Sequence, residues 1–306
     1  MADKDAVAKE YMGDAAHFAD AVNFYFFDGQ QVVQPEHLKE MDPTMIALPH
    51  NEAGDKATVQ RYRDLMKRIT IMSDEHTVYL VMGIENQAEM HLAMVVRVML
   101  EDAIQYAMQV QEIARMHKEN GDKPENSAEF LSGLHREDKL KPVVTLTMYF
   151  GSQPWTAPTE LHEMLDATPQ ILRFVDNYHL HLIDPYAIAE DDLSKFRTEL
   201  RLVLKCIKHS RTKKELNDAL GSDEKFHDLS WETANMIDTM INANMKLPKE
   251  KRRVDMCDAI KQMVNDERVE IAKKLLALGK LTNEEIAEAS GLSLTEVQTL
   301  AGEKTA

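Results

Sequence analysis

The sequence predicts an α/β domain with a mixed sheet, followed by an all-helical C-terminal third. Two observations predict it. Four strand-like runs, "RDLMKRITIM", "TVYLVMGIE", "KPVVTLTMYFG" and "YHLHLIDP", alternate with helical patterns up to Pro185, and beyond Pro185 only helical periodicity remains. The order is helix, hairpin, helix, strand, strand, then helices, which asks for antiparallel and parallel pairing in one sheet.

Residues 5 to 27 read as one helix, because Ala15, Phe18, Ala19, Val22 and Phe26 recur at helical spacing before "DGQQ" ends it. The polar turn "SDEH" separates the first two strands. From Glu89 to Met116 a long helix rich in Met, Leu and Val is expected, and the Gly/Pro-containing "HKENGDKPENSAEFLSG" reads as a loop. The C-terminal helices should break near "GSDEK" and "KLPKEKRR". The 19 methionines suit core packing at helical spacing rather than a cofactor role.

Composition sets bounds on function. Of 306 residues, 44% are hydrophobic and 29% charged, as in an ordinary folded protein. The N-terminus is charged from Asp3 and does not read as a signal peptide, and no apolar run is long enough for a membrane span. A cytoplasmic protein is expected. Cys206 and Cys257 are too few for a disulfide framework or a cysteine zinc site. A net charge of −16 confines any nucleic-acid-binding face to local patches. Two segments qualify, one with Lys205, Lys208, Arg211, Lys213 and Lys214, the other Lys249 to Arg253, though both also read as solvated surface. No phosphate-loop or nucleophile-elbow glycine pattern is present, so kinase, P-loop and serine hydrolase readings find no support.

The stretch "YLVMGIENQ" (79–87) starts as a core strand and ends in a carboxylate and two amides. A hairpin centred between Asp74 and Glu75 sets Asp64 opposite Glu85. Directly opposed β-carbons lie about 4.5–5.5 Å apart, where two carboxylates repel unless a cation joins them. Gln87 falls on the face of Glu85 and Asn86 on the other. One or two carboxylates with water and substrate phosphate are what a hard divalent ion such as magnesium takes. Spacing alone favours the plainer reading of two acids solvated at strand ends.

The segment "RYRDLMKRIT…VYLVMGIENQ" resembles the active-site hairpin of the Rpn-type recombination-promoting nuclease and putative transposase family, a branch of the PD-(D/E)XK nuclease superfamily. The resemblance extends to "KEYMGDAAHFADAVNFYFFDGQQVV", "MVVRVMLEDAIQYAMQV", "FLSGLHREDKLKPVVTLTMYFG…PW" and "LHEML", covering about the first 190 residues. It implies a restriction-endonuclease-like mixed sheet flanked by helices, DNA as partner, and Mg2+ or Mn2+ as cofactor. Asp64 matches the superfamily's first acid, Glu85 the second, and Gln87 the position that is lysine elsewhere. An amide there offers only a dipole to the attacking water, so the resemblance also allows a catalytically silent nucleic-acid-binding or regulatory protein. The superfamily often adds an acid from the first helix, where Glu10, Asp14 and Asp20 remain open. Arg97 and Tyr106 fall where the family carries substrate-side polar groups, although Arg97 could equally form a structural ion pair.

Three regions follow: a nuclease-like domain (1–190), a helical extension (191–265) and a tail (266–306). In the tail, Ile286, Ala287, Gly291, Leu292, Val297 and Leu300 fit a helix-turn-helix-like pair. Its second helix has no Arg or Lys to hold phosphate or read guanine, so packing or assembly is the expected role. Self-association would run through this helical region. His179 and His181 share a strand face at a spacing metals accept, but no third ligand is near in sequence.

Overall fold

The computed structural model describes residues 4–40, 65–73, 76–245, 247–248, 250 and 252–302, with the side chains of 40, 65–73 and 76–85 excepted. The chain is mixed α/β and divides into two compact units, 1–211 and 212–306. No described helix is long and apolar enough to cross a membrane.

The first unit opens with two helices, α1 (Lys4–Gly13) and α2 (Ala15–Phe27), where one was expected. Asp14 makes the break. Its backbone is non-helical (φ −60°, ψ 131°), and its carboxylate accepts the N–H groups of Ala16 at 2.8 Å and His17 at 3.2 Å. An aspartate that caps a new helix cannot also continue the old one. The α2 helix ends at Asp28, which adopts the left-handed conformation (φ 53°).

Five strands form one sheet in sequence order: β1 (Leu38–Glu40), β2 (Leu65–Ser73), β3 (His76–Gln87), β4 (Val143–Tyr149) and β5 (His181–Ile183). The first three are antiparallel, and β4 and β5 continue parallel to β3. The β2–β3 register runs from Leu65 opposite Ile84 to Ser73 opposite His76, the register expected from the sequence. On the far side of β3, Glu85 stands opposite Thr147 and Gln87 opposite Tyr149.

The connection from β3 to β4 is α3 (Met94–Asn120) and a short α4 (Ser127–Ser132), the latter inside the stretch expected to be a loop. Asn126 nucleates it by accepting the N–H groups of Ala128 and Glu129. Met94, Val95 and Val98 of α3 are buried with Leu180 against Trp155, Leu161 and Tyr178. A four-residue α5 (Pro169–Leu172) precedes β5, and α6 (Leu200–Lys208) closes the unit with Leu200, Leu202, Val203, Leu204 and Cys206 buried. Phe24 of α2 stacks on Phe196 at 4.1 Å between ring centroids.

The second unit holds α7 (Lys213–Gly221), a two-strand ribbon of β6 (Leu229–Ser230) and β7 (Arg253–Val254), and α8 (Trp231–Ile241) between them. The ribbon interrupts a region expected to be wholly helical. Then α9 (Met256–Leu278) runs unbroken through residues 265 and 266. Two short helices, α10 (Asn283–Ser290) and α11 (Leu294–Gly302), turn through Gly291 and bury Ile286, Leu292 and Val297 with Ala272 of α9. Met12, Met94, Met148, Met236, Met240 and Met256 are all buried, so methionine serves as core filler in both units.

Candidate functional site

The acidic end of β3 lies where several elements converge. Asp64 is outside the described residues, and Glu85 is described only by its strand position. Gln87 is half-buried, and its amide nitrogen donates to the Asn86 carbonyl at 3.0 Å. The Gln87 carbonyl accepts the Phe150 N–H at 2.8 Å, so pairing with the β4 side continues past the last strand residue.

Of the first-helix acids, none of the three expected candidates reaches this strand end among the bonds described. Glu10 is exposed. Asp14 caps α2. Asp20 is buried and accepts from the backbone N–H groups of Arg197 and Thr198 and from the Thr198 hydroxyl, at 2.6 to 3.0 Å. It therefore anchors the segment leading to α6. Asp5, in the first turn of α1, does reach: its Oδ1 accepts the Ala88 N–H at 3.2 Å. No local pattern marks Asp5, because the contact joins residues 83 apart in sequence.

On the helix that follows, Arg97 Nε lies 3.4 Å from Oε1 of Glu101, whose side chain is 3% exposed. Arg97 thus takes part in an ion pair one helical turn long. The Tyr106 hydroxyl accepts the Val143 N–H at 3.0 Å, and the Gln109 amide pairs twice with the Lys141 backbone, at 2.7 and 3.0 Å. These two side chains dock α3 on the entrance of β4. Neighbouring Asp102 is buried and accepts from the Thr145 hydroxyl at 2.6 Å and the Tyr178 hydroxyl at 2.5 Å. Burial and the adjacent Asp102 carboxylate hold the Tyr178 phenol well above its ordinary range, so it stays a donor. Sequence reasoning passed over this cluster, since a lone acid in a helix looks solvated until the partner strand is known.

Beside the strand end lies a buried hydroxyl. The Thr147 hydroxyl, opposite Glu85 in the register, is fully buried and has no hydrogen-bond partner among the described residues. A buried unsatisfied hydroxyl costs about 1–3 kcal/mol, so it calls for a functional explanation.

The histidine pair and three residues of the basic segments have partners within the fold. His179 lies 3.4 Å from Glu160, while His181 meets the rings of Tyr25 and Phe26 edge-on. Burial pushes the His181 imidazole below its ordinary range. Lys208 pairs with Glu190 at 3.0 Å, Lys213 with Glu267 at 2.8 Å, and Arg253 with Asp228 at 2.9 Å.

Comparisons with known proteins give one match. Neither the curated proteins nor the solved structures contain one. A family model described as "Putative transposase, YhgA-like" matches residues 4–236, which takes in all five strands of the sheet and every residue of the candidate site. The match spans well over half of the chain, and the chain belongs to the YhgA-like putative transposase family.

Proposed function

We propose that this chain is a metal-dependent DNA endonuclease with a PD-(D/E)XK-like core, acting in recombination or on mobile elements. The observation that carries this reading is the β2–β3 register in a member of a transposase family. Leu65 pairs with Ile84, and Asp64 and Glu85 are the residues next in sequence on the open side of that pair. The mixed sheet flanked by helices supports the same core.

The donor set fits a hard divalent ion. Asp64, Glu85 and Asp5 offer only carboxylate oxygen, with no thiolate or imidazole among them, which suits Mg2+ or Mn2+. Asp64 and Glu85 would hold the ion, with Asp5 as the first-helix acid. A bound magnesium ion polarises a phosphoryl oxygen and lowers the pKa of a bound water. The chain's own groups do the rest. Gln87, steadied by its bond to the Asn86 carbonyl, orients a water through its amide. The Thr147 hydroxyl supplies a buried donor beside the Glu85 position. Without the superfamily's lysine, the site gives the attacking water no positive charge of its own. The α9–α11 helices read as a helix-turn-helix-like packing module, since α11 carries no Arg or Lys among its described residues.

Plasmid cleavage by the purified chain, in magnesium and in chelator, tests the reading alongside Asp64→Asn and Glu85→Gln. Cleavage should require magnesium and vanish in both variants. Binding of DNA without cleavage by the parent would favour the catalytically silent reading, and unchanged cleavage in both variants would remove the acid pair from the chemistry.

A further inference from the structure

A second cluster of ligand-type side chains stands at the other end of α3. His117, in the last turn of the helix, meets a carboxylate at each ring nitrogen. Nδ1 lies 2.8 Å from Asp122 Oδ2, and Nε2 lies 2.9 Å from Asp138 Oδ2. The ring of His135 faces that of His117 edge-on, with centroids 4.0 Å apart, and its Nδ1 lies 3.2 Å from Glu129 Oε2. One ligand atom from each of His117, Asp122 and His135 falls within 4.8 Å of the others.

Local structure explains why these residues meet. Gly121 ends α3 in the left-handed conformation (φ 77°), which few side chains tolerate, and the reversal returns Asp122 to the His117 it has just passed. Gly133 then ends α4 where a β-carbon would come within 2.6 Å of Ala114 Cβ, so the chain lies close along α3 and delivers His135. The two outer carboxylates are themselves fixed. Asp138 accepts the His135 N–H at 2.7 Å, and Glu129 accepts the Glu125 N–H at 2.8 Å.

We propose that His117, Asp122 and His135 form a zinc-class metal site, with Asp138 and Glu129 as the carboxylates that orient its two imidazoles. Metal-bound histidine characteristically gives its other ring nitrogen to a carboxylate, and here both histidines already have one. Asp138 takes His117 Nε2 and Glu129 takes His135 Nδ1, which assigns His117 Nδ1 and His135 Nε2 to the ion. Two imidazoles and a carboxylate are a borderline set that zinc accepts and magnesium does not favour. Zinc bonds of about 2.0–2.2 Å put neighbouring ligand atoms roughly 3.5 Å apart, so the observed cluster closes on an ion with side-chain adjustments on the order of 1 Å. Asp122 is 43% exposed, which leaves the ion a way in and a position for water. The ion would staple the end of α3 to the segment before β4, beyond the Gln109–Lys141 pairing. This site does not depend on the nuclease reading, because it shares no residue with the acidic strand.

The test uses the full chain, stripped with chelator and titrated with Zn2+ against a chromophoric competitor. Thermal melts and Co2+ absorption are measured in parallel. The parent should bind one equivalent, rise in melting temperature, and give the intense visible Co2+ bands of a low-coordinate, nitrogen-containing site. His135→Gln and Asp122→Asn should each weaken Zn2+ binding by at least about 100-fold and abolish the thermal shift. Asp138→Asn should weaken it about 10- to 100-fold, as outer carboxylates do. Asp122 is exposed, so its variant folds even if a histidine variant does not. Glu85→Gln should leave this zinc equivalent in place, which separates the site from the acid pair. Absence of stoichiometric zinc in the parent, or equal affinity in His135→Gln and Asp122→Asn, would overturn the proposal.

Discussion

Asp5 and Ala88 are joined by a hydrogen bond of 3.2 Å, from the Ala88 N–H to the Asp5 carboxylate, which ties the first turn of α1 to the residue after β3. Asp5→Asn keeps an acceptor and removes a charge, so its melting temperature should stay near that of the parent. Its magnesium-dependent cleavage should fall at least about 10-fold, as expected when an anionic group leaves a metal site. Asp5→Ala should lose the same activity and about 1 kcal/mol of stability as well. Parental cleavage by Asp5→Asn would make Asp5 a tether only.

In the proposed nuclease reading, Gln87 takes the position that is lysine in the superfamily, beside a paired strand end. Gln87→Lys restores a positive charge and should keep or raise plasmid cleavage, whereas Gln87→Ala should lower it. Equal rates in these two variants would place Gln87 outside the chemistry.

Thr147 buries a hydroxyl that has no partner among the described residues. Thr147→Val is nearly isosteric and should raise stability by about 1 kcal/mol in denaturant titration, because an unsatisfied polar group disappears. If the hydroxyl serves a water or phosphate oxygen beside Glu85, the same variant should cleave several-fold more slowly. A destabilised Thr147→Val would show that the hydroxyl has a partner in solution.

Tyr178 and Asp102 make the opposite case, a half-buried phenol that donates to a buried carboxylate at 2.5 Å. Tyr178→Phe strips a donor from a buried carboxylate and should cost about 1–3 kcal/mol. Asp102 keeps the Thr145 hydroxyl, so the fold should survive. Urea melts of the two proteins would measure the difference, and a change close to zero would mean that water replaces the phenol.

Asp238 gives a pH dependence within the second unit. Burial raises its carboxyl above the ordinary range, and the Met245 N–H, at 2.8 Å, offsets this only in part. A raised acid binds its proton more tightly folded than unfolded, so its contribution to stability falls as pH rises through the folded pKa. Asp238→Asn should therefore be modestly more stable than the parent at neutral pH. The advantage should vanish in acid, below the ordinary carboxylate range, where the parent is protonated too. A variant that is less stable at neutral pH would contradict this.

Several features were legible in the sequence because local chemistry fixes them. The "SDEH" turn between two apolar runs sets the β2–β3 register, since a hairpin's pairing follows from where it turns. The alternation of strand and helix gives a mixed sheet, whereas the break at Asp14 was missed because helical spacing of apolar residues runs on through the capping residue. Other features depend on contacts that no local pattern encodes. Asp20 and Asp5 look alike as helix acids, yet one anchors residues 197 and 198 and the other reaches Ala88. Asp102 finds Thr145 and Tyr178 only when α3 lies across β4. His117 and His135 meet because two helix-ending glycines fold the chain back on α3. Sequence determined the β2–β3 pairing and its register, because a hairpin's pairing follows from where it turns. Tertiary structure alone decided which of many charged side chains converge, because that is set by how the helices pack on the sheet.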